Sequence, residues 1–456
     1  MLHRVERGLD SLIDHYTSVC IALALFVLSL VGVGDVVVVS LLGFLLCMAG
    51  LTRRSARADP WILVPLLVYD LACLASTCAA YGEITGGYGV THGIFPVLWL
   101  LAACLEPDEQ RLLKRLCALW TGAAAAVGIG RFVFLAITQG RVGRMSGLLG
   151  NPNAMGIFLV LGWFLVTCPT VDEGDWAAAR SLLEPLLLIA AAMTLSMGSF
   201  AAMAAGILVL LAEKRGTQTL GSTLLYACRL LAKCSLGMGT GLLIYLSAAR
   251  TSVPWTCLFL LAYGGMVLAC WRSFERFLEA KPKISVLIAA LGVLVAGTAV
   301  VIRPSAVATF TERLEMMASG LHYLTANPLL GVGPFQWRLL DLNDGGKYFN
   351  TWHIHNVVIH VGVEMGWIAM GALVLIGVRA LTKPRAPQER ALTAAFIAHN
   401  MIDTSFFYLG ITALALTAAG GSHEGDRRLG GGGVKLLFAL FAGLFAYSLF
   451  YRVMTA

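Results

Sequence analysis

A group of histidines with one carboxylate stands at the start of a long apolar run and is the first candidate for chemistry. His355 lies at the outer end of this run, where an imidazole can act as a base at neutral pH or serve as a structural partner. At about 100° per residue, a helix here predicts a polar stripe on one face, formed by His353, Asn356, His360 and Glu364. Ionisable groups inside a membrane segment cost about 2.5–3.5 kcal/mol each, which makes them functional candidates. The stripe predicts a hydrogen-bonded seam or the wall of a wet cavity; a metal site on His353, His360 and Glu364 is the alternative.

A second histidine and carboxylate pair lies in the next apolar run. His399 and Asp403 are four residues apart, which would make them neighbours on the surface of a helix. Such a pair can orient an imidazole for chemistry, and it can equally form a satisfied polar clamp. Both interpretations stay open from the sequence.

Residues 143–153 combine an arginine with the start of a helix. Asn153 is a good N-cap, and the first turn of a helix offers free N–H groups and the positive end of the helix dipole. Arg144 beside this helix start predicts a site for an anion. An ordinary capped loop with an interfacial arginine is the alternative.

The composition shows that most of the chain is solvated by lipid. Of 456 residues, 58% are hydrophobic and 13% are charged, and the mean hydropathy is +0.79. Soluble domains carry about 25% charged and about 45–50% apolar residues. The composition therefore excludes a soluble enzyme and a nucleic-acid-binding protein. It predicts an all-α, polytopic integral membrane protein with about 12–15 transmembrane helices, since one crossing needs about 20 apolar residues.

The placement of lysine and arginine predicts the orientation of the chain. Most of these 33 residues fall on alternate connections, which the positive-inside rule assigns to the cytoplasm. This asymmetry accounts for the net charge of +7 without a nucleic-acid partner. The chain then reads as one membrane domain over residues 1–456, with a single sizeable insert at 303–352 on the outer side. Three arginines also lie on that side: Arg144, Arg250 and Arg313. Basic residues are rare there, so the presence of these three requires an explanation.

Several short motifs within residues 140–420 resemble the O-antigen ligase and polymerase family of integral membrane glycosyltransferases. The main signature is Asn-Pro-Leu-Leu-Gly-Val-Gly-Pro at 327–334, followed by His355-Asn356, Glu364 and Gly366. Other positions that match the family are Arg144 and Asn153 in its upstream motif, Arg313 in its periplasmic helix, and His399 with Asp403 near its C-terminal helices. Each piece is short, and the specificity comes from their order and spacing.

The resemblance implies a multi-pass enzyme of the bacterial inner membrane whose active site faces the periplasm. Such an enzyme moves a glycan from undecaprenyl pyrophosphate to a glycan or lipid A–core acceptor, among membrane lipids, without nucleotide sugar, cofactor or required metal. His355 is then the expected catalytic base, and direct displacement at the anomeric carbon inverts its configuration. Substrate contacts are expected from Arg144, Arg313, Arg250, Asn153, Asn356, Glu364, His399 and Asp403.

One departure from the family concerns the hairpin at residues 196–198. The family often has Ser-Arg-Gly there, whereas this chain has Ser196-Met197-Gly198. An arginine at that position would bind phosphate. Arg250, at the outer end of a helix, is the expected substitute.

Ligase and polymerase activities use the same type of donor, so the site residues do not separate them. The sequence interpretation favours a ligase-like enzyme, with a repeat-unit polymerase as the main alternative and a protein O-glycosylating relative as a minor one. A transporter or flippase is a different class, whose expected sign is a pair of broken helices in matching halves of the chain. No internal symmetry of that kind is visible in the sequence.

Overall fold

The computed structural model describes residues 15–32, 34–168, 176–250, 254–301, 305–347, 349–383, 386–420 and 426–455. These residues are almost entirely helical, which confirms the all-α fold class. The first eight helices are α1 (Tyr16–Val31), α2 (Val36–Leu51), α3 (Pro60–Tyr81), α4 (Ile94–Ala103), α5 (Pro107–Gln139), α6 (Pro152–Val166), α7 (Trp176–Met193) and α8 (Met197–Thr217). The remaining helices are α9 (Leu220–Arg250), α10 (Pro254–Ala280), α11 (Pro282–Val301), α12 (Ser305–Ala326), α13 (Trp337–Asn343), α14 (Val357–Thr382), α15 (Pro387–Asn400), α16 (Leu409–Ala419) and α17 (Gly431–Thr455).

The length and composition of the helices make this a multi-pass membrane protein. In the described part of the chain, eight helices are long and apolar enough to cross a membrane: α3, α5, α7, α8, α9, α10, α14 and α17. Shorter apolar helical stretches of 10–17 residues accompany them in α1, α2, α4, α6, α11 (Pro282–Val295) and α16. Several apolar runs that the sequence suggests as crossings are therefore short helices. Hydropathy alone does not distinguish a membrane-spanning helix from a buried one; length does, since an apolar stretch of about 10–14 residues is more typical of a buried helix.

The chain folds as two compact units. The first unit contains residues 1–117, 312–385 and 400–456, and the second contains residues 118–311 and 386–399. The expectation of one membrane domain with one insert stays a prediction.

Within the first unit, α14 packs against α3, α17 against α2 and α16 against α1. Helix α4 is buried on every face, as its uniformly apolar sequence requires. A short antiparallel ribbon pairs β1 (Ser55–Ala58) with β2 (Arg427–Gly430). The packing against α3 positions α14, the helix that follows His355.

The insert expected at 303–352 contains two helices, α12 and α13, and α12 ends at Ala326, as the following Asn327–Pro328 predicts. Its residues 312–347 and 349–352 belong to the first unit and share a hydrophobic core with the beginning of α14. That core consists of Met316, Tyr323, Leu324, Trp337, Phe349, Ile354 and Val363. The insert is therefore packed against the segment that carries His355.

Within the second unit, α6 packs against α7 and α8, and α9 packs against α7, α10 and α11. Residues Ala154–Val166 of α6 are all buried. The turn between α7 and α8 lies at 194–196, and α8 begins at Met197. Ser196 caps this helix and Met197 and Gly198 are already helical, so the turn precedes most of the Ser196-Met197-Gly198 motif.

Candidate functional site

In the first unit, the turn at 327–334 is inserted into a break in α14. The amides of Val332 and Gly333 donate to the carbonyls of Val363 and Glu364, at 2.9 and 3.0 Å. On the other side of the break, the Trp367 amide donates to the Pro328 carbonyl at 2.8 Å. The turn therefore satisfies backbone groups that the broken helix leaves without helical partners. Such satisfaction is required wherever irregular backbone lies at membrane depth.

Glycines make this insertion possible. Gly366 has φ +83° inside α14, and a Cβ atom there would lie 2.0 Å from the Leu329 carbonyl oxygen. Gly331 has φ +67°, and its Cβ would lie 2.4 Å from the carbonyl carbon of Glu364. The main signature consists of the turn at 327–334 and the segment that leads to Gly366, separated by about thirty residues. The two parts thus pack together as one backbone arrangement.

The N-terminus of α14 is fixed by Asn356. Its side-chain oxygen accepts from the Ile359 amide at 3.1 Å, which makes it the N-cap. Its side-chain nitrogen donates to the Met401 carbonyl at 3.2 Å. Asn356 therefore joins the start of α14 to the turn at 401–404, and its expected part in substrate binding stays a prediction.

That turn brings Asp403 to both His355 and Arg313. Asp403 Oδ1 lies 3.6 Å from His355 Nδ1, and Asp403 Oδ2 lies 3.5 Å from an Arg313 guanidinium nitrogen. Arg313 also donates to the Ile402 carbonyl, and the Thr404 amide donates to Asp403 Oδ1 at 2.8 Å. The side chains of His355 and Arg313 are 20% and 18% exposed, so each can be reached from outside the protein.

The environment of His355 keeps its imidazole neutral at neutral pH. Burial lowers the pKa of His355; the Asp403 carboxylate raises it and the Arg313 guanidinium lowers it. The 3.6 Å separation from Asp403 is longer than a hydrogen bond, and His355 Nδ1 has no hydrogen-bond partner among the described residues. Hydrogen bonds of this type are often long without substrate and shorten in the reacting complex. A neutral imidazole beside a carboxylate is suited to accept a proton.

The polar stripe predicted for α14 is only partly helical. The helix begins at Val357, so His353 is not on its surface and instead folds back, with its ring centre 5.0 Å from that of His360. Tyr88 donates to or accepts from His353 Nε2 at 2.9 Å, and Phe407 stacks on His353 at 4.5 Å. This is the hydrogen-bonded seam of the first interpretation. No group of three or more potential ligands in the described part is placed to hold a metal ion.

In the second unit, Arg144 is held by neutral oxygens. Its Nε donates to the Thr194 carbonyl at 2.9 Å, and a terminal nitrogen donates to Asn153 Oδ1 at 2.6 Å. The Met145 amide donates to the Met193 carbonyl at 3.1 Å. These bonds attach the arginine loop to the α7–α8 turn.

Asn153 has a different role from the one expected. The N-cap of α6 is Asn151, whose side chain accepts from the amides of Asn153 and Ala154. The expectation for Asn153 was wrong because Pro152 occupies the first position of the helix, which moves the cap two residues upstream. The Asn153 side chain orients Arg144 instead.

His399 and Asp403 are not neighbours on one helix. Helix α15 ends at Asn400, so the spacing of four residues does not have its helical meaning. His399 is fully buried in the second unit, where its Nε2 lies 3.4 Å from Ser199 Oγ. Ser199 Oγ also lies 2.8 Å from Ser196 Oγ, at the start of α8. Asp403 belongs to the first unit, with His355.

Glu364 is fully buried, and Arg250 closes α9 with its side chain outside the described part of the structure. The expected substrate contacts of these two residues stay predictions. So does the convergence of Arg144, in the second unit, with Arg313 and His355 in the first.

The sequence interpretation missed the partners that hold these side chains. The Ile402 and Thr194 carbonyls are backbone groups, which carry no side-chain signal. Tyr88 and Phe407 are aromatic residues in apolar surroundings and look like ordinary core residues. A search of protein-family models and of curated proteins finds no match to this chain.

Proposed function

We propose that the chain is a membrane glycosyltransferase that moves a glycan from undecaprenyl pyrophosphate to an acceptor, in the manner of an O-antigen ligase. One observation carries this proposal: a partly exposed imidazole, His355, shares the Asp403 carboxylate with Arg313 just before the start of α14. Transfer from a lipid pyrophosphate needs a proton acceptor for the attacking hydroxyl and positive charge for the departing phosphate. His355 and Arg313 supply these two functions side by side.

The orientation of His355 supports Nε2 as the nitrogen that accepts the proton. Nδ1 faces Asp403, so the proton of the neutral ring belongs on Nδ1, and Nε2 has the free lone pair. In the proposed step, the acceptor hydroxyl attacks the anomeric carbon and gives its proton to Nε2. The bond from the anomeric carbon to the pyrophosphate oxygen breaks, and its electron pair leaves with the pyrophosphate. Attack opposite the leaving group inverts the configuration at that carbon.

The arginines stabilise the charge that develops on the leaving group. Guanidinium groups bind phosphate oxygens in pairs and stay charged at any relevant pH. Arg144 donates to the Thr194 carbonyl and to Asn153 Oδ1, which orient its guanidinium. We propose that the reaction takes place on the periplasmic side of the inner membrane, with the lipid tail in a groove between helices. The reaction as proposed uses no cofactor or metal.

The test is transfer by the purified full chain in lipid nanodiscs. The donor is a glycan on undecaprenyl pyrophosphate, and the acceptors are lipid A–core and a second lipid-linked repeat unit, offered separately. Glycan on lipid A–core supports the ligase assignment, whereas a lengthened lipid-linked glycan supports the polymerase alternative. Absence of both products, with folded protein and intact donor, contradicts the proposal.

A further inference from the structure

A histidine and a glutamate inside α14 have no place in the transfer step described above. His360 and Glu364 are both fully buried, one turn apart, and His360 Nε2 lies 3.2 Å from Glu364 Oε2. Neither carboxylate oxygen of Glu364 has a hydrogen-bond partner among the described residues. A carboxylate in such apolar surroundings is costly compared with an apolar residue. Packing alone therefore does not explain Glu364.

The loop before α14 determines the proton on His360. The Ile354 amide donates to His360 Nδ1 at 3.3 Å. A backbone N–H can only donate, so Nδ1 must be unprotonated. The ring proton of a neutral His360 is then on Nε2, which is the atom that faces Glu364. A carboxylate beside one imidazole nitrogen favours the proton on that nitrogen, as in the outer shells of metal sites.

Ile354 is the link from this pair to the site. Its side chain is fully buried in the core shared by α12 and α13, and its amide is held by His360. The next residue is His355. The neighbouring His353 is held by Tyr88 and Phe407, so the backbone on the N-terminal side of His355 has two anchors.

We propose that Glu364 and His360 are positioning residues, which hold the Ile354 amide and thereby direct the His355 imidazole toward Asp403. The proposal rests on the function proposed above, in which His355 accepts the proton. Glu364 acts through the tautomer of His360, and His360 acts through the loop backbone. Neither side chain touches the substrate.

A pair of substitutions at His360 separates this role from packing. In His360→Asn, the amide oxygen stands near the position of Nδ1 and can still accept from Ile354. In His360→Gln, the polar atoms stand near the position of Nε2, so the contact with Glu364 is kept and the Ile354 acceptor is lost. We expect His360→Gln to lower kcat about tenfold or more with KM within about twofold, the scale of one lost positioning contact, and His360→Asn to retain most of the activity.

Chemical modification of His355 gives a readout that does not depend on activity. In the full chain, we expect carbethoxylation of His355, measured by peptide mass spectrometry, to be several-fold faster in His360→Gln and Glu364→Leu than in wild type. Glu364→Gln, which keeps an oxygen that can accept from Nε2–H, should stay near wild type. Equal losses in His360→Asn and His360→Gln, or unchanged modification in His360→Gln, would overturn the proposal.

The wild-type protein provides a test that requires no variant to fold. With histidines labelled by ¹⁵N, the ring nitrogens of His360 should show the neutral tautomer with the proton on Nε2. A proton on Nδ1 overturns the proposal. If wild type transfers no glycan, the proposed function fails, whereas the tautomer and the His355 modification rates still decide the positioning of the loop.

Discussion

Arg313 and Arg144, one in each unit, are held by partners of opposite character. Arg313 contacts a carboxylate, Asp403, which also faces His355. Arg144 donates to a carbonyl and to an amide oxygen, both neutral. The first arrangement combines an acid, a base and a cation, and it can tune a proton transfer. The second orients a guanidinium through a carbonyl and an amide oxygen.

The comparison indicates a division of labour. The cluster in the first unit is suited to chemistry, because Asp403 and Arg313 act on the pKa of His355 in opposite directions. The cluster in the second unit is suited to binding, because its carbonyl and amide acceptors orient a guanidinium.

The largest effect is expected from His355→Ala. Loss of the base should lower transfer by about 10²–10⁴-fold, the usual contribution of a general base. Since His355 is partly exposed and outside the core, the amount of folded protein should stay near normal. His322→Ala, at an exposed position on α12, is the matched control and should keep full activity. Near-normal transfer by His355→Ala would show that the histidine is only a helix-end partner.

Glycine substitutions compare the loss of stability when a Cβ atom is added near each cluster. Gly366→Ala should destabilise the protein by about 3 kcal/mol or more, because a residue with positive φ is strained by about 1–3 kcal/mol and the Cβ also meets the Leu329 backbone. Gly156→Ala, in α6, should cost less, because its Cβ meets the Ser199 hydroxyl and other side-chain atoms. Thermal unfolding in detergent measures both. Gly371→Ala, on α14 with no neighbour at the added Cβ, is the control, and a loss there as large as for Gly366 would contradict the argument.

Arginine-to-lysine changes separate binding from chemistry. Arg144→Lys should lower kcat/KM about 10–100-fold, because charge-assisted hydrogen bonds contribute about 1.5–3 kcal/mol and an ammonium lacks the planar geometry. The effect should appear mainly in the KM for the donor. Arg313→Lys should lower kcat as well. Arg141→Lys, exposed in the same loop as Arg144, should change neither value, and identical profiles for Arg144→Lys and Arg313→Lys would remove the proposed division.

The hairpin position tests whether the cluster in the second unit lacks a cation. Arg250→Ala should lower transfer strongly if Arg250 replaces the arginine that the family often has at Met197. Met197→Arg, combined with Arg250→Ala, should restore part of the loss. The measurement is glycan transfer by the single and double variants. An active Arg250→Ala variant would contradict the hypothesis that Arg250 replaces the missing arginine.

The smallest effect is a shift in pH dependence, and it belongs to the first unit alone. His355 acts in its neutral form, and burial lowers its pKa, so activity should persist at neutral pH and be lost as the pH falls through that lowered value. Asp403 and Glu312 raise this pKa, while Arg313 and His360 lower it. Asp403→Asn should therefore move the acidic limb of the pH profile to lower pH.

Arg313→Gln should move the acidic limb in the opposite direction. The measurement is kcat against pH for both variants and for wild type. Arg144→Gln, in the other unit, should leave the limb in place. A shift of the same sign in Asp403→Asn and Arg313→Gln would contradict the assignment of the limb to His355.

Local signals in the sequence were enough to predict the fold class and the end of α12. Composition defined a lipid-solvated, all-α chain, because apolar content of this size has no other stable solvent. Asn327–Pro328 predicted the end of α12, because the residue before proline avoids helical backbone angles. Arg313, His355 and Asp403 could each be nominated by residue type, since charged and titratable groups near membrane segments are rare.

Only the tertiary structure decided how those residues are combined. The sequence paired Asp403 with His399 through a helical spacing, but α15 ends at Asn400 and the turn delivers Asp403 to His355. The fold also buries Glu364 beside His360, a contact between their side chains that residue type alone does not reveal. Spacing along a chain has geometric meaning only inside one regular element, and these contacts join different elements through breaks and turns. The positions of these breaks and turns depend on backbone hydrogen bonds, such as those between the 327–334 turn and α14. Backbone bonds of this kind cannot be predicted from residue type.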